Sequence, residues 1–335
     1  MSTSITVPAG VGVFHLPLEF ALRGAQLAFE LTGPAQAPVV AVAGGISAHR
    51  HVCATAFDPA PGWWEPCVGA GRAIDTQRFR VLAVDWLGGQ GASTGPTNTT
   101  AARAFPLVTA DHQAQAIALL LAHLGIERLH GFVGASFGGM VGLCLAAAHP
   151  ARIGRLIAIA AAHESHPLAS AWRSVQRRIV RLGLRHGAAA AQEALTIARA
   201  LAMTTYRTAA EFELRFAGPA EIVGQHARFP VDAYLDARGR EFAARCSAST
   251  FLSLSYAIDV HRVPPEQITT PVTLVGVTSD ALVPITQVRE LARRLAGPVR
   301  LVELDSIYGH DAFLKEVGAI AAILRGDLAG PEAAP

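Results

Sequence analysis

A serine, an aspartate and a histidine stand in that order along this chain, where acyl chemistry would need them. Ser136 lies in Gly134-Ala135-Ser136-Phe137-Gly138-Gly139, a G-x-S-x-G pattern between an apolar run at 129–133 and an alanine-rich stretch at 140–149. That context predicts a strand, a sharp turn and a helix. Such a turn lifts the hydroxyl clear of the sheet and sets it over the helix N-terminus. Glycines 134 and 138 fit because neighbouring backbone must pass too close for a Cβ. A glycine-rich turn with an incidental serine would carry the same residues, so the motif does not decide alone. A serine nucleophile also needs a base, and the base an orienting acid. Asp280 follows the apolar run 272–277, and His310 comes a few residues after the run 299–304. Three such residues, in order and each past a strand end, read as a Ser136–His310–Asp280 triad. Two backbone N–H groups should hold an oxyanion: that of Phe137, and one from the loop Gly44-Gly45-Ile46 after the run 39–43.

The elements that must position these residues follow from periodicity. Runs at 13–16 and 26–31 flank an Arg23-Gly24 turn and predict a hairpin. Short apolar runs at 39–43, 80–85, 129–133, 156–160, 272–277 and 299–304 read as strands, the inner ones buried on both faces. Thr109 can cap a helix whose Ile117, Leu120, Leu121 and Leu124 share one face, with Gly125 to end it. The alternation predicts a mostly parallel, doubly wound α/β sheet. Between 164 and 263 strand-like runs vanish, and amphipathic helices are expected at 171–184, 189–203, 209–216, 231–244 and 249–259. The expected organisation is therefore a catalytic core of residues 1–163 and 264–335 with a helical lid at 164–263. Order and strand-end placement of the three residues are those of an α/β-hydrolase fold.

Composition narrows the function classes. The chain has 335 residues, is 51% hydrophobic and 16% charged, and carries a net charge of +2. No strong field argues for nucleic acid or an anionic membrane surface. The scattered basic residues are arginines except Lys315. Cysteines 53, 67, 144 and 246 form no C-x-x-C pair and no metal-ligand spacing, so no metal site is expected and they read as small buried hydrophobes. The first six residues lack the basic and apolar regions of a secretory leader, and no apolar run reaches the ~18 residues of a membrane span. A soluble cytoplasmic protein is the expectation.

Several segments resemble the homoserine O-acyltransferase family. Gly309-His310-Asp311-Ala312-Phe313-Leu314 is similar, letter for letter, to that family's catalytic-histidine motif, and 204–208 (Thr-Thr-Tyr-Arg-Thr) resembles its lid motif T-Y-R-S. Segments 58–65, 93–96 and 136–140 are similar to others, so the likeness runs from about residue 20 to 315. The resemblance implies that Arg207 binds the homoserine carboxylate and Asp311 its ammonium. It also implies a homodimer, acyl-CoA as co-substrate with no resident cofactor, and a ping-pong reaction through an acyl-Ser136. Physical chemistry agrees, since a zwitterion needs one cation and one anion. The sequence departs from the family pattern at 44–51, at 86–91 and at Phe137, all near the acyl pocket. This shorter form looks like the branch that uses succinyl-CoA. A succinyl carboxylate wants a cation near the serine, for which Arg50, His49 and Arg289 are candidates. Acetyl-CoA as donor, serine as acceptor and simple ester hydrolysis stay open as alternatives.

Overall fold

Apolar runs of four to six residues become the inner strands of one sheet in the computed structural model, which describes residues 9–96 and 105–329. Residues 1–6, read above for a leader, lie outside the described ones. Strand β1 (Gly10–His15) pairs antiparallel with β2 (Gln26–Thr32), as the Arg23-Gly24 turn predicts. The other strands are β3 (Val39–Ala43), β6 (Arg80–Val84), β7 (Gly131–Ala135), β8 (Leu156–Ile159), β11 (Val272–Val277) and β12 (Val299–Leu304). A short parallel pair, β4 (Val68–Gly69) with β5 (Ile74–Asp75), stands apart from this sheet. The sheet order is β1-β2-β6-β3-β7-β8-β11-β12, and every pair from β6 to β12 runs parallel.

Because side chains alternate along a strand, each inner strand feeds both faces. On β3, Ala41 and Ala43 join a core with helices α1 (Ala110–His123) and α2 (Phe137–Ala148). Val40 and Val42 point the other way, into a core with Ile320 and Leu324 of α10 (Val317–Leu328). That C-terminal helix, and the short α9 (Ala312–Lys315) before it, extend the fold past the last strand that the apolar runs indicate. Thr109 caps α1 as expected, in a capping box with His112. All four cysteines are unpaired and buried. Burial pushes each thiol up, Cys53 and Cys67 to about 11 and Cys246 to about 12.

Between β8 and β11 the chain folds into α3 (Pro167–Arg185), α4 (Ala188–Tyr206), α5 (Ala209–Phe216), α6 (Asp232–Ala243) and α7 (Ala248–Asp259). The expectation of helices alone is corrected by a small exposed hairpin, β9 (Glu221–Val223) with β10 (His226–Arg228). Its strands of three residues are too short to show the alternation that marks a strand in sequence. The helices have their own core of Val180, Leu195, Phe242 and Phe251. After β11, helix α8 (Ile285–Arg294) packs against β11 and β12.

One ion cluster ties α3 to α7. Asp259 accepts Arg173 Nε at 2.6 Å on one oxygen and Arg177 on the other, and Arg177 also reaches Ser255 Oγ at 3.0 Å. The three charges are about 90% buried, so removing the carboxylate would strand two guanidinium groups away from water. Asp259→Ala is expected to lower unfolding stability by about 3–5 kcal/mol in urea titrations. A loss below about 1 kcal/mol would show that the cluster holds nothing together.

Candidate active site

The geometry begins at Ser136, the turn residue between β7 and α2. Its backbone sits at φ 54 and ψ −120, a conformation that a non-glycine residue holds only under constraint. The constraint is backbone packing. A Cβ on Gly138 would stand 2.2 Å from the Ala43 carbonyl oxygen, and one on Gly134 2.3 Å from that of Gly138. The Ser136 N–H donates to Ile159 O at 2.8 Å, and its carbonyl accepts from the Met140 N–H at 3.1 Å. The hydroxyl is thereby held at the carboxyl end of the sheet, over the head of α2.

His310 reaches it from the turn after β12. Its Nε2 lies 2.8 Å from Ser136 Oγ, and its Nδ1 lies 2.7 Å from Asp280 Oδ2. The other oxygen of Asp280 accepts the Leu282 and Val283 N–H groups at 2.8 and 3.0 Å. Asp280 is therefore fully committed, and its geometry selects the imidazole tautomer with the proton on Nδ1. Burial pulls the His310 pKa down, but the charge and hydrogen bond of Asp280, helped by Asp311, more than reverse this and leave it above the usual 6.5. This line of three residues can move a proton from the serine hydroxyl and stabilise the imidazolium that results.

Around Ser136 lies a cavity of about 270 Å³. Gly45 and Ile46 line it, and a Cβ on Gly45 would stand 3.9 Å from Ser136 Oγ. Gly44 is set one step back. Its carbonyl takes the Gly138 N–H at 2.9 Å, and a Cβ on it would meet Ala48 and Trp63. The Phe137 N–H heads α2, where the first N–H groups have no intrahelical acceptor.

The charged candidates separate clearly. Asp311 lines the cavity, and Arg207 stands behind it, with Nη2 on Asp311 at 3.0 Å and Nη1 on Glu211 at 3.1 Å. Glu211, itself buried, also takes Arg215 at 3.0 Å. Arg207 Nε is buried with no partner among the described residues. Of the three acyl-pocket candidates only His49 faces the cavity. Burial lowers its pKa, so it is a neutral hydrogen-bonding group rather than a cation at neutral pH. Arg50 is spent on Asp85, which both its guanidinium and its backbone N–H contact. Arg289 is corrected as well: it grips Glu303 on β12 at 2.7 and 2.6 Å on an exposed face of α8, away from the cavity.

The cations that do line the cavity come from the helical segment: Arg173, Arg199 and Arg245. Sequence reasoning passed over them because helical spacing gives a face but not what lies opposite. Arg173 is aimed by Asp259 and by Ser165 Oγ. With Arg177 it puts two guanidinium groups on one carboxylate, a local surplus of positive charge. Among the described residues no group of three or more His, Cys, Asp or Glu is placed to hold a metal, and no helix is long and apolar enough to cross a membrane.

The chain is similar to known proteins over most of its length. The family described as alpha/beta hydrolase fold matches residues 45–317. A homoserine O-succinyltransferase of Xanthomonas campestris pv. campestris is 46% identical over 313 residues, covering 93% of this chain and 81% of that protein. A serine O-succinyltransferase of Litchfieldella anticariensis is 35% identical, covering 85% of this chain and 86% of that protein. The crystal structure of a homoserine O-acetyltransferase from Bacillus anthracis superimposes with a TM-score of 0.86 at 19% identity, over 96% of this chain and 98% of that one.

The pH profile tests the Ser136–His310–Asp280 line directly. A base must be unprotonated to accept the serine proton, so hydrolysis of p-nitrophenyl acetate should fall as pH drops through a pKa above 6.5. Asp280→Asn removes the group that raises that pKa and fixes the tautomer. The acid limb should move to lower pH and kcat should fall by roughly 10⁴-fold. An unchanged profile in that variant would rule out the assignment.

Proposed function

We propose that this chain, which belongs to the homoserine O-acyltransferase family of the α/β-hydrolase fold, transfers a succinyl group from succinyl-CoA to the hydroxyl of L-homoserine through an ester on Ser136. His310 Nε2 takes the Ser136 proton as Oγ attacks the thioester carbonyl. The Phe137 N–H and the N–H groups of the 45–46 loop receive the oxyanion, whose charge exists only in the tetrahedral intermediate. The intermediate collapses by breaking the C–S bond, and the imidazolium gives its proton to the departing thiolate. Homoserine then enters, His310 removes the proton of its hydroxyl, and that oxygen attacks the succinyl ester. Collapse returns the proton to Ser136 and releases O-succinyl-L-homoserine. The chemistry uses no resident cofactor.

The observation that carries the succinyl reading is Arg173. It lies in the cavity wall, close enough for its charge to act on His310, and belongs to a cluster with more cation than anion. A carboxylate at the far end of a four-carbon acyl group would balance that surplus; an acetyl group offers nothing to do so. Asp311 is the anion for the homoserine ammonium, and Arg207 behind it the cation for the carboxylate. The segment 164–263 serves as a lid that excludes water from the acyl-enzyme, which transfer rather than hydrolysis requires. The same reading makes the protein a cytoplasmic homodimer in methionine biosynthesis. Exposed apolar side chains on the helical segment, Leu214, Ile222 and Phe229, support a surface that a second subunit covers.

The assay offers succinyl-CoA or acetyl-CoA with homoserine or serine and follows free thiol. Thiol release should be fastest with succinyl-CoA and homoserine together. Arg173→Met should cut the succinyl reaction by on the order of ten-fold or more, the worth of a lost charge-assisted hydrogen bond, while sparing acetyl transfer. Release from succinyl-CoA at the same rate without an acceptor would make the protein a hydrolase. No release from either donor would remove the transferase reading altogether.

A further inference from the structure

Arg199 has no role in the reaction as described, yet it lines the cavity with its donors unspent. It is half-buried on α4, and no hydrogen bond or ion pair joins it to any described residue. Its guanidinium is held instead between two rings, 5.1 Å from the centre of Tyr206 and 4.7 Å from that of Phe242. The ring faces attract the cation without using its N–H donors, which no described residue accepts. A guanidinium with unspent donors is a fork for a bidentate anion. Arg245, one turn beyond Phe242 at the end of α6, lies on the same wall and is 66% exposed, which marks the mouth. It shares Glu241 with Arg238, at 3.1 and 2.8 Å, so two cations there divide one carboxylate. Glu164, the lining carboxylate besides Asp311, pairs with Arg262 at 3.5 Å.

The size of the cavity says which anion belongs there. At about 270 Å³ it falls below the range of about 300–1,000 Å³ usual for drug-sized ligands. It suits a four-carbon acyl group beside a small amino acid, and a nucleotide must stay outside. Given the acyl-CoA donor proposed above, on which this assignment rests, the phosphates of the donor hang at the mouth. We infer that Arg199 and Arg245 form a phosphate clamp for the nucleotide part of the thioester donor, separate from the groups that recognise the acyl chain and the acceptor. Carrier recognition then lies on α4 and the turn after α6, and acyl recognition on α3. Cations in excess at the rim would also speed encounter with a polyanionic donor, and added salt would slow it.

Two kinds of measurement separate this clamp from the transferase reading. The first compares succinyl-CoA with succinyl-N-acetylcysteamine, a thioester without phosphates, both with homoserine. Arg199→Met and Arg245→Ala should each raise KM for succinyl-CoA by on the order of ten-fold, with kcat and the whole reaction of the short thioester unchanged. Arg199→Lys, which keeps charge but not the fork, should recover part of the loss. Equal damage to both thioesters would overturn the clamp, and so would damage to neither. The second needs no transfer at all: CoA and pantetheine are compared as inhibitors of p-nitrophenyl acetate hydrolysis. Wild-type protein should bind CoA more tightly than pantetheine, and Arg199→Met should erase the difference. Equal inhibition in the wild type would overturn the clamp even where acyl transfer is intact. Tighter CoA binding without transfer would sustain the clamp and remove the transferase reading.

Discussion

The site depends on one backbone crossing, where the head of α2 lies against the end of β3. The Gly138 N–H donates to Gly44 O at 2.9 Å, and the Gly138 Cα passes so close to Ala43 that a methyl group would fall 2.2 Å from the carbonyl oxygen. This contact forces Ser136 into its left-handed backbone conformation, a strain on the order of 1–3 kcal/mol. Strands β3 and β8 flank β7 on either side and hold it in register, so the strain cannot relax by moving the strand. The same contact brings the loop after β3 beside the serine. The hydroxyl and the proposed oxyanion donors are thus set by one packing event rather than by two loops that must find each other.

Electrostatics distinguish this cavity from that of an enzyme for neutral esters. Its arginines arrive from the 164–263 segment, and each answers to a different neighbour. Arg173 is aimed by a shared aspartate, Arg199 by two aromatic faces, and Arg245 by a shared glutamate. Arg173, largely buried, and Arg199, half-buried, carry a desolvation cost that an arriving anion would repay. In the proposed reaction both substrates and the product are anionic or zwitterionic, so this repayment becomes differential binding. The cost is borne by helices outside the sheet, which leaves the core free to stay apolar.

The sheet, the turn at Ser136 and the three residues of the catalytic line were legible because each rests on local rules. Apolar runs mark strands, glycines mark close backbone approach, and the position of Asp280 and His310 after strands follows from fold order alone. Helix bounds in the 164–263 segment also came close, since amphipathic spacing governs them; for α5 the expected 209–216 and the observed Ala209–Phe216 coincide. What could not be read was which helix face meets the cavity. Arg289 lies nine residues after Asp280 on a helix bordering the sheet, yet its face turns to Glu303 on β12. Arg50 is adjacent to His49 in sequence but satisfies a buried Asp85. Arg173 and Arg199 looked like ordinary helix arginines because their partners, Asp259 and Phe242, are many residues away in the chain.

In the proposed reaction, the Arg207–Asp311 pair lets acceptor choice and the catalytic base share one piece of structure. The segment carrying Arg207 is bound to the turn carrying His310: Thr208 Oγ1 donates to Ile307 O, and the Tyr206 ring lies 5.8 Å from the His310 ring. The pair closes on itself at 3.0 Å, so each charge meets an opposite one. A zwitterion can enter by exchange, its ammonium taking Asp311 and its carboxylate taking Arg207, with the charge count unchanged. A neutral alcohol brings neither charge and gains nothing from the pair. In the proposed reaction the pair therefore selects among acceptors, favouring one that replaces both charges. Water, which need not open the pair, is left to the lid to exclude.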